Sequence, residues 1–419
     1  MGETTLKETV KIGLLGFGTV GYGVYEILKN NQEKYLHLTQ TKLEVSKILV
    51  HDTKAFPEAV EAGMPITDNF KEIIEDESIE IVVEVMGTIE TARGFIVAAL
   101  TNGKHVVTAN KDLLAVYGDE LYELAEKNGR DLYFEASVAG GIPILRALNE
   151  SYIGDNLQEV LGIVNGTTNF MLTKMQEESY SYEEALRLAQ ELGFAESDPT
   201  GDVEGLDAAR KMVILTKLAF GQSIRLDELD TKGISNILLE DFELAQQLGY
   251  TIKLIGSAKV EEGKLAVEVA PMLVPLDHPL SHVKNENNAV YVTGEAVGET
   301  MMYGPGAGRM PTANSVVADV LQIAKNIKIN QTGKGLPVIN SAVQLGTANV
   351  HYADVLLRCK QTEKTNEKAV SEIKADILTS KEGSIYLHLK EIHLDELNRV
   401  MDQLRNKAFV DIDAQYKSI

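Results

Sequence analysis

The fold of the first third of the chain is decided by "VKIGLLGFGTVGYGVYEILKN", residues Val10 to Asn30. Its first part, Val10 to Leu15, is an apolar run that predicts a buried strand, and its last part has the spacing of a helix. Gly16, Gly18 and Gly21 lie between them in a G-x-G-x-x-G array. Glycines at these positions permit a tight turn and let backbone N–H groups approach a pyrophosphate at the helix N-terminus. The stretch therefore predicts a dinucleotide-binding domain.

The choice between NAD and NADP stays open in the residues that follow the second predicted strand. Thr19 and Val20 begin the first helix and are expected to add backbone contacts to either cofactor. In "ILVHDTK", Asp52 is placed to accept from a ribose 2′-hydroxyl, which favours NAD. His51 and Lys54 in the same stretch would instead tolerate the 2′-phosphate of NADP.

The predicted fold class is α/β, with a Rossmann-type parallel sheet in residues 1–138. Apolar strand patterns alternate there with helical patterns, one of which ends at Gly129 as a C-cap. Such alternation predicts a parallel sheet that is covered by helices on both faces. The further strand candidates are Leu43 to Val50, Ile79 to Met86, Lys104 to Ala109 and Asp131 to Ser137.

Two further domains are expected. Residues 139–345 predict a mixed α+β domain, whose last helix is free to return to the first domain. Its signals are alternating strands such as "KLAVEVAPMLV" and "AVYVTGEAV", and a helix that Ser181 would cap. The apolar stripe of that helix consists of Ala185, Leu188, Ala189 and Leu192. Residues 350–419 predict a small α+β domain with strands "ADVLLRCK" and "SIYLHLK" and the helix "LDELNRVMDQL".

Composition excludes several classes of partner. The chain has 419 residues and a formal net charge of −22, which argues against nucleic acid and against an anionic membrane surface. Its one cysteine, Cys359, forms no internal disulfide, and the N-terminus lacks the pattern of a signal peptide. No apolar run is long enough to cross a bilayer. We therefore expect a cytoplasmic protein.

Three polar positions are candidates for chemistry. Lys111, in "VVTANKDLLA", follows the carboxyl end of a strand, where ligands bind in open α/β sheets. It would hold a phosphate, a carboxylate or a reacting oxygen, or else be a solvated loop lysine. Glu135, in "FEASVAGGIP", would join nearby carbonyl oxygens in a cage for a monovalent cation, or else accept bonds from backbone N–H groups.

The third candidate is the acidic stretch "ESDPTGDVEGLDAARK", residues 196–211. Asp207, Arg210 and Lys211 share one helical face at i, i+3 and i+4. The apolar run "MVILTKLAF" that follows predicts a buried helix rather than a surface ion pair. A lysine removed from water is a better proton donor near neutrality than an exposed one, and an adjacent acid would orient it. The cluster thus favours a site for a zwitterionic substrate.

Several separated stretches resemble homoserine dehydrogenase. They are "VVTANKDLLAVYG", "FEASVAGGIPILR", "NGTTNFMLTKM", "DPTGDVEGLDAARKM" and "YGPGAG". The resemblance spans about Val10 to Ile329 and implies reversible reduction of aspartate 4-semialdehyde to homoserine with NADPH or NADH, in the pathway to threonine and methionine. It also implies that residues 139–345 bind the substrate and form the interface of a homodimer or homotetramer. It likens the last 70 or so residues to an ACT regulatory domain.

The resemblance also assigns residues. Lys211 is similar to the proton donor to the carbonyl oxygen, and Asp207 to its substrate-binding partner. Glu196 corresponds to the glutamate that holds the substrate amino group, and Lys111 to a lysine between cofactor and substrate with a catalytic role. Thr88, Gly193 and Gly306 match cofactor contacts. A sodium-type site is implied at Glu135, Val138, Gly140 and Ile142.

Two departures and two rivals bear on this interpretation. "HDTK" lacks the arginine that often favours NADPH in the family, and "KQTEKTNEKAVSEI" replaces the usual first turn of the ACT domain, which puts threonine binding in doubt. The chain before Gly13 is too short for a fused aspartate kinase, so a monofunctional enzyme is expected. Aspartate-semialdehyde dehydrogenase needs a nucleophilic cysteine, and Cys359 is far from the site motifs. A silent nucleotide-binding sensor would bind cofactor without turnover.

Overall fold

A computed structural model of the chain describes residues 9–261, 263–334, 344–346, 352–361, 365, 370–379, 384–408 and 410–419. It divides into two compact units. Unit 1 comprises Met1–Gly154, Val213–Leu226 and Gly304–Ile339, and unit 2 comprises Asp155–Met212, Asp227–Tyr303 and Asn340–Ile419. The domain boundaries predicted from the sequence stay a prediction, and the one between 345 and 350 lies largely outside the described residues. The same holds for much of "KQTEKTNEKAVSEI".

Unit 1 contains a parallel sheet with strand order β3-β2-β1-β4-β5-β6. This confirms the predicted α/β architecture. The strands are β1 (Thr9–Leu15), β2 (Lys42–Leu49), β3 (Ile66–Thr67), β4 (Ile79–Glu84), β5 (His105–Thr108) and β6 (Leu132–Tyr133). The helices are α1 (Thr19–Asn30), α2 (Gln32–Thr39), α3 (Pro57–Glu61), α4 (Lys71–Ile74), α5 (Glu90–Thr101), α6 (Lys111–Lys127), α7 (Ile144–Arg146) and, after unit 2 residues, α13 (Arg309–Lys328).

The last predicted strand of this sheet is shorter than expected. We predicted a strand over Asp131 to Ser137, but β6 ends at Tyr133 and Glu135 begins a 3-10 turn. The backbone N–H of Glu135 donates to the buried carboxylate of Asp319 at 2.8 Å instead of to a neighbouring strand. That bond turns the chain out of the sheet.

Close helix packing covers one face of the unit 1 sheet. Val24 and Leu28 of α1 pack with Val316 and Val320 of α13, and all four side chains are buried. A Cβ at Gly23 would come within 2.9 Å of Ala313 Cβ, so α1 and α13 approach each other as closely as glycine allows.

Unit 2 is built on a mixed sheet with strand order β12-β11-β7-β9-β10-β17-β14-β16-β15, to which β8 and β13 add beside β10. The strands are β7 (Leu157–Ile163), β8 (Asp230–Thr231), β9 (Tyr250–Glu261), β10 (Lys264–Pro275), β11 (Asn287–Gly294), β12 (Gly298–Pro305), β13 (Gln344–Leu345), β14 (Tyr352–Gln361), β15 (Asp376–Thr379), β16 (Ser384–His393) and β17 (Val410–Ser418). The helices are α8 (Gly166–Glu178), α9 (Tyr182–Glu191), α10 (Thr200–Val203), α12 (Leu239–Gln247) and α14 (Leu394–Gln403). Helix α11 (Leu206–Phe220) begins in unit 2, and its residues from Val213 belong to unit 1.

A local sequence signal sets the start of helix α9 in unit 2. Ser181 caps α9 as predicted, in a capping box with Glu184. Of the predicted apolar stripe of α9, Ala185 and Ala189 are buried, whereas Leu192 is 56% exposed because the helix ends before it.

At the C-terminus, β17 pairs in parallel with β10, so the last strand of the chain continues the sheet of the unit. Among the described residues, no helix combines the length and the apolar character that a membrane span requires.

Candidate functional site

A side chain at each glycine of the G-x-G-x-x-G array would meet different surroundings. Gly16 has a φ of +99°, and a Cβ there would lie 2.9 Å from the carbonyl oxygen of Val85. A Cβ at Gly21 would lie 2.1 Å from the carbonyl oxygen of Gly16, so only glycine lets α1 approach the turn. At Gly18 a Cβ would meet no heavy atom within 4 Å. The space above Gly18 is therefore open to a ligand.

The N-terminus of α1 faces this space without a side-chain cap. Gly18 is its N-cap residue and no side chain bonds to the first turn, which Thr19, Val20 and Gly21 begin. Uncapped N–H groups and the helix dipole attract phosphate. These residues fit the pyrophosphate of a dinucleotide.

The carboxyl ends of β4 and β5 carry a second group of polar residues. Asn110 caps α6 through Leu113 N and donates from Nδ2 to the carbonyl oxygen of Thr88 at 2.7 Å. Lys111 begins α6 with its side chain 31% exposed, and its Nζ lies 3.8 Å from Asp112 Oδ2. Both predicted positions, Thr88 and Lys111, thus adjoin one buried asparagine.

Glu84, at the end of β4, was not singled out from the sequence. It is wholly buried and accepts from Thr108 Oγ1 at 2.5 Å and from Met86 N at 2.7 Å. Burial raises the pKa of its carboxyl group, and these bonds partly offset that rise. The available signal was a charged residue closing the apolar run "IEIVVE".

Asp52 is exposed and belongs to a local turn. Its Oδ1 accepts from Lys54 N at 2.9 Å and caps the 3-10 turn Thr53–Ala55. This geometry does not separate NAD from NADP.

A buried ion pair forms the centre of the predicted substrate region in unit 2. Lys211 Nζ donates to Asp207 Oδ2 at 2.7 Å and to the carbonyl oxygen of Val164 at 2.6 Å. Both side chains are only 12% exposed. Gly205, with a φ of +79°, forms the turn between α10 and α11 that places Asp207 in the first helical turn. The predicted i, i+4 pair is therefore a desolvated one.

Asn165 and Asp202 extend this pair into a network that the sequence did not reveal. Asn165 Nδ2 donates to Asp202 Oδ1 at 2.7 Å and to Asp207 Oδ2 at 2.8 Å. Burial raises the pKa of Asp202 most, and the nearby Asp207 raises it further, whereas Asn165 and Lys211 lower it. The signals for these residues were "NGTTNF" after a strand and the second acid of "DPTGD".

The other predicted residues, Gly193, Glu196 and Gly306, lie outside the helices and strands. Glu196 is exposed, and its backbone carbonyl accepts from Gln190 Nε2 at 3.1 Å. Gly193 has a φ of +77° just after α9, with open space at its Cβ position. Gly306 lies in unit 1, where its carbonyl oxygen would be 2.4 Å from a Cβ at Gly140.

Glu135 is held by backbone N–H groups, which was one of the two alternatives for it. Its Oε1 and Oε2 accept from Leu145 N and Arg146 N, each at 2.8 Å. Arg146 Nη2 also donates to Asp319 Oδ1 at 3.1 Å, so Arg146 bonds to Glu135 through its backbone N–H and to Asp319 through its guanidinium. Burial raises the pKa of Glu135 and of Asp319, the latter to about 8.

The carbonyl groups of the predicted cation loop have protein partners as well. The Gly140 carbonyl accepts from Ser315 Oγ at 2.7 Å, and the Ile142 carbonyl accepts from Ile144 N at 2.8 Å. Val138 is buried in the same loop. Within the part of the chain that is described, no cluster of three or more His, Cys, Asp or Glu side chains is arranged to hold a metal. A cation here would depend on carbonyl oxygens and one carboxylate.

Comparison with known families matches the regions that contain the glycine array and the Lys211–Asp207 pair. Residues 16–135 match the family "Homoserine dehydrogenase, NAD binding domain", and residues 143–321 match the family "Homoserine dehydrogenase". The homoserine dehydrogenase of Bacillus subtilis is 52% identical over 351 residues, which cover 84% of this chain and 81% of that one.

Solved structures agree with the sequence comparison. A homoserine dehydrogenase from Thiobacillus denitrificans superposes with a TM-score of 0.90 at 34% identity, covering 99% of each chain. A hyperthermophilic archaeal homoserine dehydrogenase in complex with NADPH has a TM-score of 0.64 at 29% identity, covering 75% of this chain and 97% of that one.

Proposed function

The chain belongs to the homoserine dehydrogenase family of NAD(P)-dependent oxidoreductases, which interconvert L-aspartate 4-semialdehyde and L-homoserine, and we propose which of its residues carry out the reaction. The observation that carries the proposal is the desolvated Lys211–Asp207 pair, with Nζ and Oδ2 at 2.7 Å. A lysine ammonium held by a buried carboxylate is positioned to give a proton to an oxygen as negative charge develops there.

In the direction of reduction, Lys211 gives a proton to the carbonyl oxygen of the aldehyde and is left as a neutral amine. Asp207 stabilises the ammonium before transfer and binds the polar end of the substrate. Glu196 binds the substrate amino group, and Lys111 provides the second catalytic lysine. In the reverse direction the neutral amine of Lys211 takes the hydroxyl proton of homoserine.

The cofactor is NADP or NAD. The array of Gly16, Gly18 and Gly21 and the first turn of α1, with Thr19 and Val20, would hold its pyrophosphate, because Gly18 leaves open space beside uncapped N–H groups. Thr88, Lys111, Gly193 and Gly306 complete the proposed contacts. When bound, the nicotinamide accepts or supplies the hydride.

We also propose a sodium-type cation at Glu135 with the carbonyl oxygens of Val138, Gly140 and Ile142. Its support is the charge balance beside the loop, where Glu135 and Asp319 are both buried and one arginine, Arg146, bonds to Asp319. Its role would be to brace the loop, not to activate the substrate.

The wider setting is proposed on the same basis. We infer a cytoplasmic enzyme of threonine and methionine biosynthesis that acts as a homodimer or homotetramer, with an ACT-like C-terminal region. An aspartate-semialdehyde dehydrogenase reaction is disfavoured because Cys359 is 1% exposed in β14 and burial raises the pKa of its thiol to about 12.

The test is homoserine-dependent reduction of NADP and of NAD by the purified protein, beside Lys211→Ala. We expect turnover by the wild type and its loss in the variant, with cofactor affinity retained. The silent-sensor alternative predicts cofactor binding by both proteins and turnover by neither. A Lys211→Ala rate near that of the wild type would remove the proton-donor assignment.

A further inference from the structure

One buried amide bonds both to Asp207 of the proposed substrate site and to the neighbouring carboxylate of Asp202. Asn165 is 5% exposed, and its Nδ2 donates to Asp202 Oδ1 at 2.7 Å and to Asp207 Oδ2 at 2.8 Å. A primary amide has two N–H hydrogens, so these bonds use both. Lys211 Nζ donates to the same Asp207 oxygen at 2.7 Å. Asp207 Oδ2 thus accepts from one neutral donor and one cation.

The orientation of this amide is fixed by the start of α8. Asn165 is the N-cap residue, and its Oδ1 accepts from Thr168 N and from Thr168 Oγ1, each at 2.8 Å. A flipped amide would turn its oxygen toward two carboxylates and its NH2 group toward a backbone N–H. Only one orientation satisfies all four bonds, so the helix cap aims both donors at the acids.

The two acids need such a donor because they lie close together out of water. Like charges at short range in a partly dehydrated site disfavour double ionisation. Hydrogen bonds to an ionised carboxylate stabilise the charged form. Asn165 provides this stabilisation to both acids without adding a charge of its own.

We propose that Asn165 is a positioning residue of the reaction, which keeps Asp207 ionised and aimed at Lys211 Nζ. This inference rests on the proposed roles of Asp207 and Lys211. An ionised Asp207 accepts a hydrogen bond from the Lys211 ammonium group, which donates the proton to the carbonyl oxygen. Without the amide, two neighbouring carboxylates would have no shared donor between them, which disfavours their joint ionisation.

The variant Asn165→Ser separates the amide from the cap, because serine caps helices about as well as asparagine but cannot donate to two carboxylates at once. We expect its kcat for reduction of aspartate 4-semialdehyde, the direction in which Lys211 must carry its proton, to fall about 10- to 100-fold, as for loss of a hydrogen bond to a charged group. The acidic limb of its kcat/KM profile should move to higher pH, since loss of the donor favours the protonated acids. Cofactor affinity should stay within about twofold, because neither Asp202 nor Asp207 is among the proposed cofactor contacts.

The control is Ser181→Ala, which removes the N-cap of α9 in the same unit and should keep the wild-type kcat and pH profile. A wild-type kcat and pH profile in Asn165→Ser would overturn the inference. If that variant does not fold, Asn165→Asp gives the same readouts, since aspartate also caps α8 but replaces the donor with a third carboxylate; an unchanged acidic limb there would likewise overturn it. Absence of homoserine oxidation in the wild type would instead refute the proposed function.

Discussion

Arg358 of β14 and Asp241 of α12 form an ion pair that is almost wholly removed from water, with side chains 4% and 0% exposed. Asp241 also accepts from Tyr386 Oη at 2.7 Å and from Tyr416 Oη at 2.6 Å. Leu238 N also donates to Asp241 Oδ2, at 2.8 Å. Three strands of the C-terminal region, β14, β16 and β17, therefore place a polar side chain on one buried carboxylate in the middle of unit 2.

Deleting the chain from residue 350 is expected to destabilise unit 2. The sequence alone led us to expect that a separate C-terminal domain would be removable without loss of catalysis. The truncation, however, would leave Asp241 without Arg358 and both tyrosines, and removing the partners of a buried charge costs about 3–5 kcal/mol. The measurement is urea unfolding of the full chain and of the truncated chain, with homoserine oxidation alongside. Equal unfolding midpoints and rates would show that the C-terminal region is independent after all.

A point variant isolates the same effect. Asp241→Ala should lower the free energy of unfolding by about 3–5 kcal/mol, since it leaves Arg358 buried and uncompensated. Arg187→Met is the matched control, because Arg187 pairs with Glu191 on the surface with side chains 68% and 56% exposed. Exposed pairs contribute little, so the control should unfold like the wild type.

How far the sequence predicts the structure depends on the range of the interactions. The glycine array, β1, β4 and the cap at Ser181 depend on neighbours within one element, and each lies where it was expected. The role of Asn165 depends on Asp202 and Asp207, which are 37 and 42 residues away. Spacing cannot reveal such a contact, since the same "NGTTN" is equally consistent with an ordinary helix cap.

The long strand β9 escaped prediction for a different reason. Its sequence, "YTIKLIGSAKVE", carries a lysine in the middle of an apolar run and so departs from both strand and helix templates. In the structure Lys253 is only 2% exposed, because carbonyl and amide oxygens satisfy its ammonium group. A tertiary contact therefore made a buried position available to a residue that the local pattern excludes.

Alanine substitution at two glycines of the array should affect different properties: stability at Gly21 and cofactor binding at Gly18. Gly21→Ala places a methyl group 2.1 Å from the Gly16 carbonyl oxygen, so α1 must shift and the melting temperature should fall by several degrees. Gly18→Ala meets no protein atom within 4 Å and has a φ of −77°, so the fold should be kept. Its methyl group would instead occupy the space proposed for the pyrophosphate.

The measurements are thermal melts and NADPH fluorescence titrations of both variants. We expect Gly18→Ala to melt like the wild type and to bind NADPH at least tenfold more weakly. Unchanged NADPH affinity in Gly18→Ala would show that the pyrophosphate does not approach this turn.

Sodium is expected to stabilise the protein through Glu135. A cation in the proposed loop site would offset the cost of burying Glu135 beside Asp319. The melting temperature should therefore be higher in sodium chloride than in choline chloride at equal ionic strength. Glu135→Ala should abolish the difference, and Glu150→Gln, which changes a side chain that is 53% exposed, should retain it. A sodium effect that survives in Glu135→Ala would place the ion elsewhere.

Lys253 predicts a specific dependence of stability on pH. Burial lowers the pKa of its ammonium group to about 8, and Nζ donates to the Val283 carbonyl at 2.6 Å. In the unfolded chain this pKa returns to about 10.4, so between about pH 8 and pH 10 the unfolded state binds more protons. Stability from this group therefore rises with pH across that window, by up to about 3 kcal/mol in total.

Lys253→Met tests this directly, because methionine has similar length and does not titrate. Below pH 8 both the folded and the unfolded wild type hold the proton on Lys253, so the folded state bears the full cost of burying the charge. The free energy of unfolding of the variant, relative to that of the wild type, is therefore highest there. Part of this gain is offset because the Val283 carbonyl has one donor fewer in the variant. The difference in unfolding free energy, wild type minus variant, should thus become more favourable to the wild type from pH 7 to pH 10. Urea titrations at several pH values measure it. A difference that is constant across this range would mean that the lysine keeps its ordinary affinity for protons despite being 2% exposed.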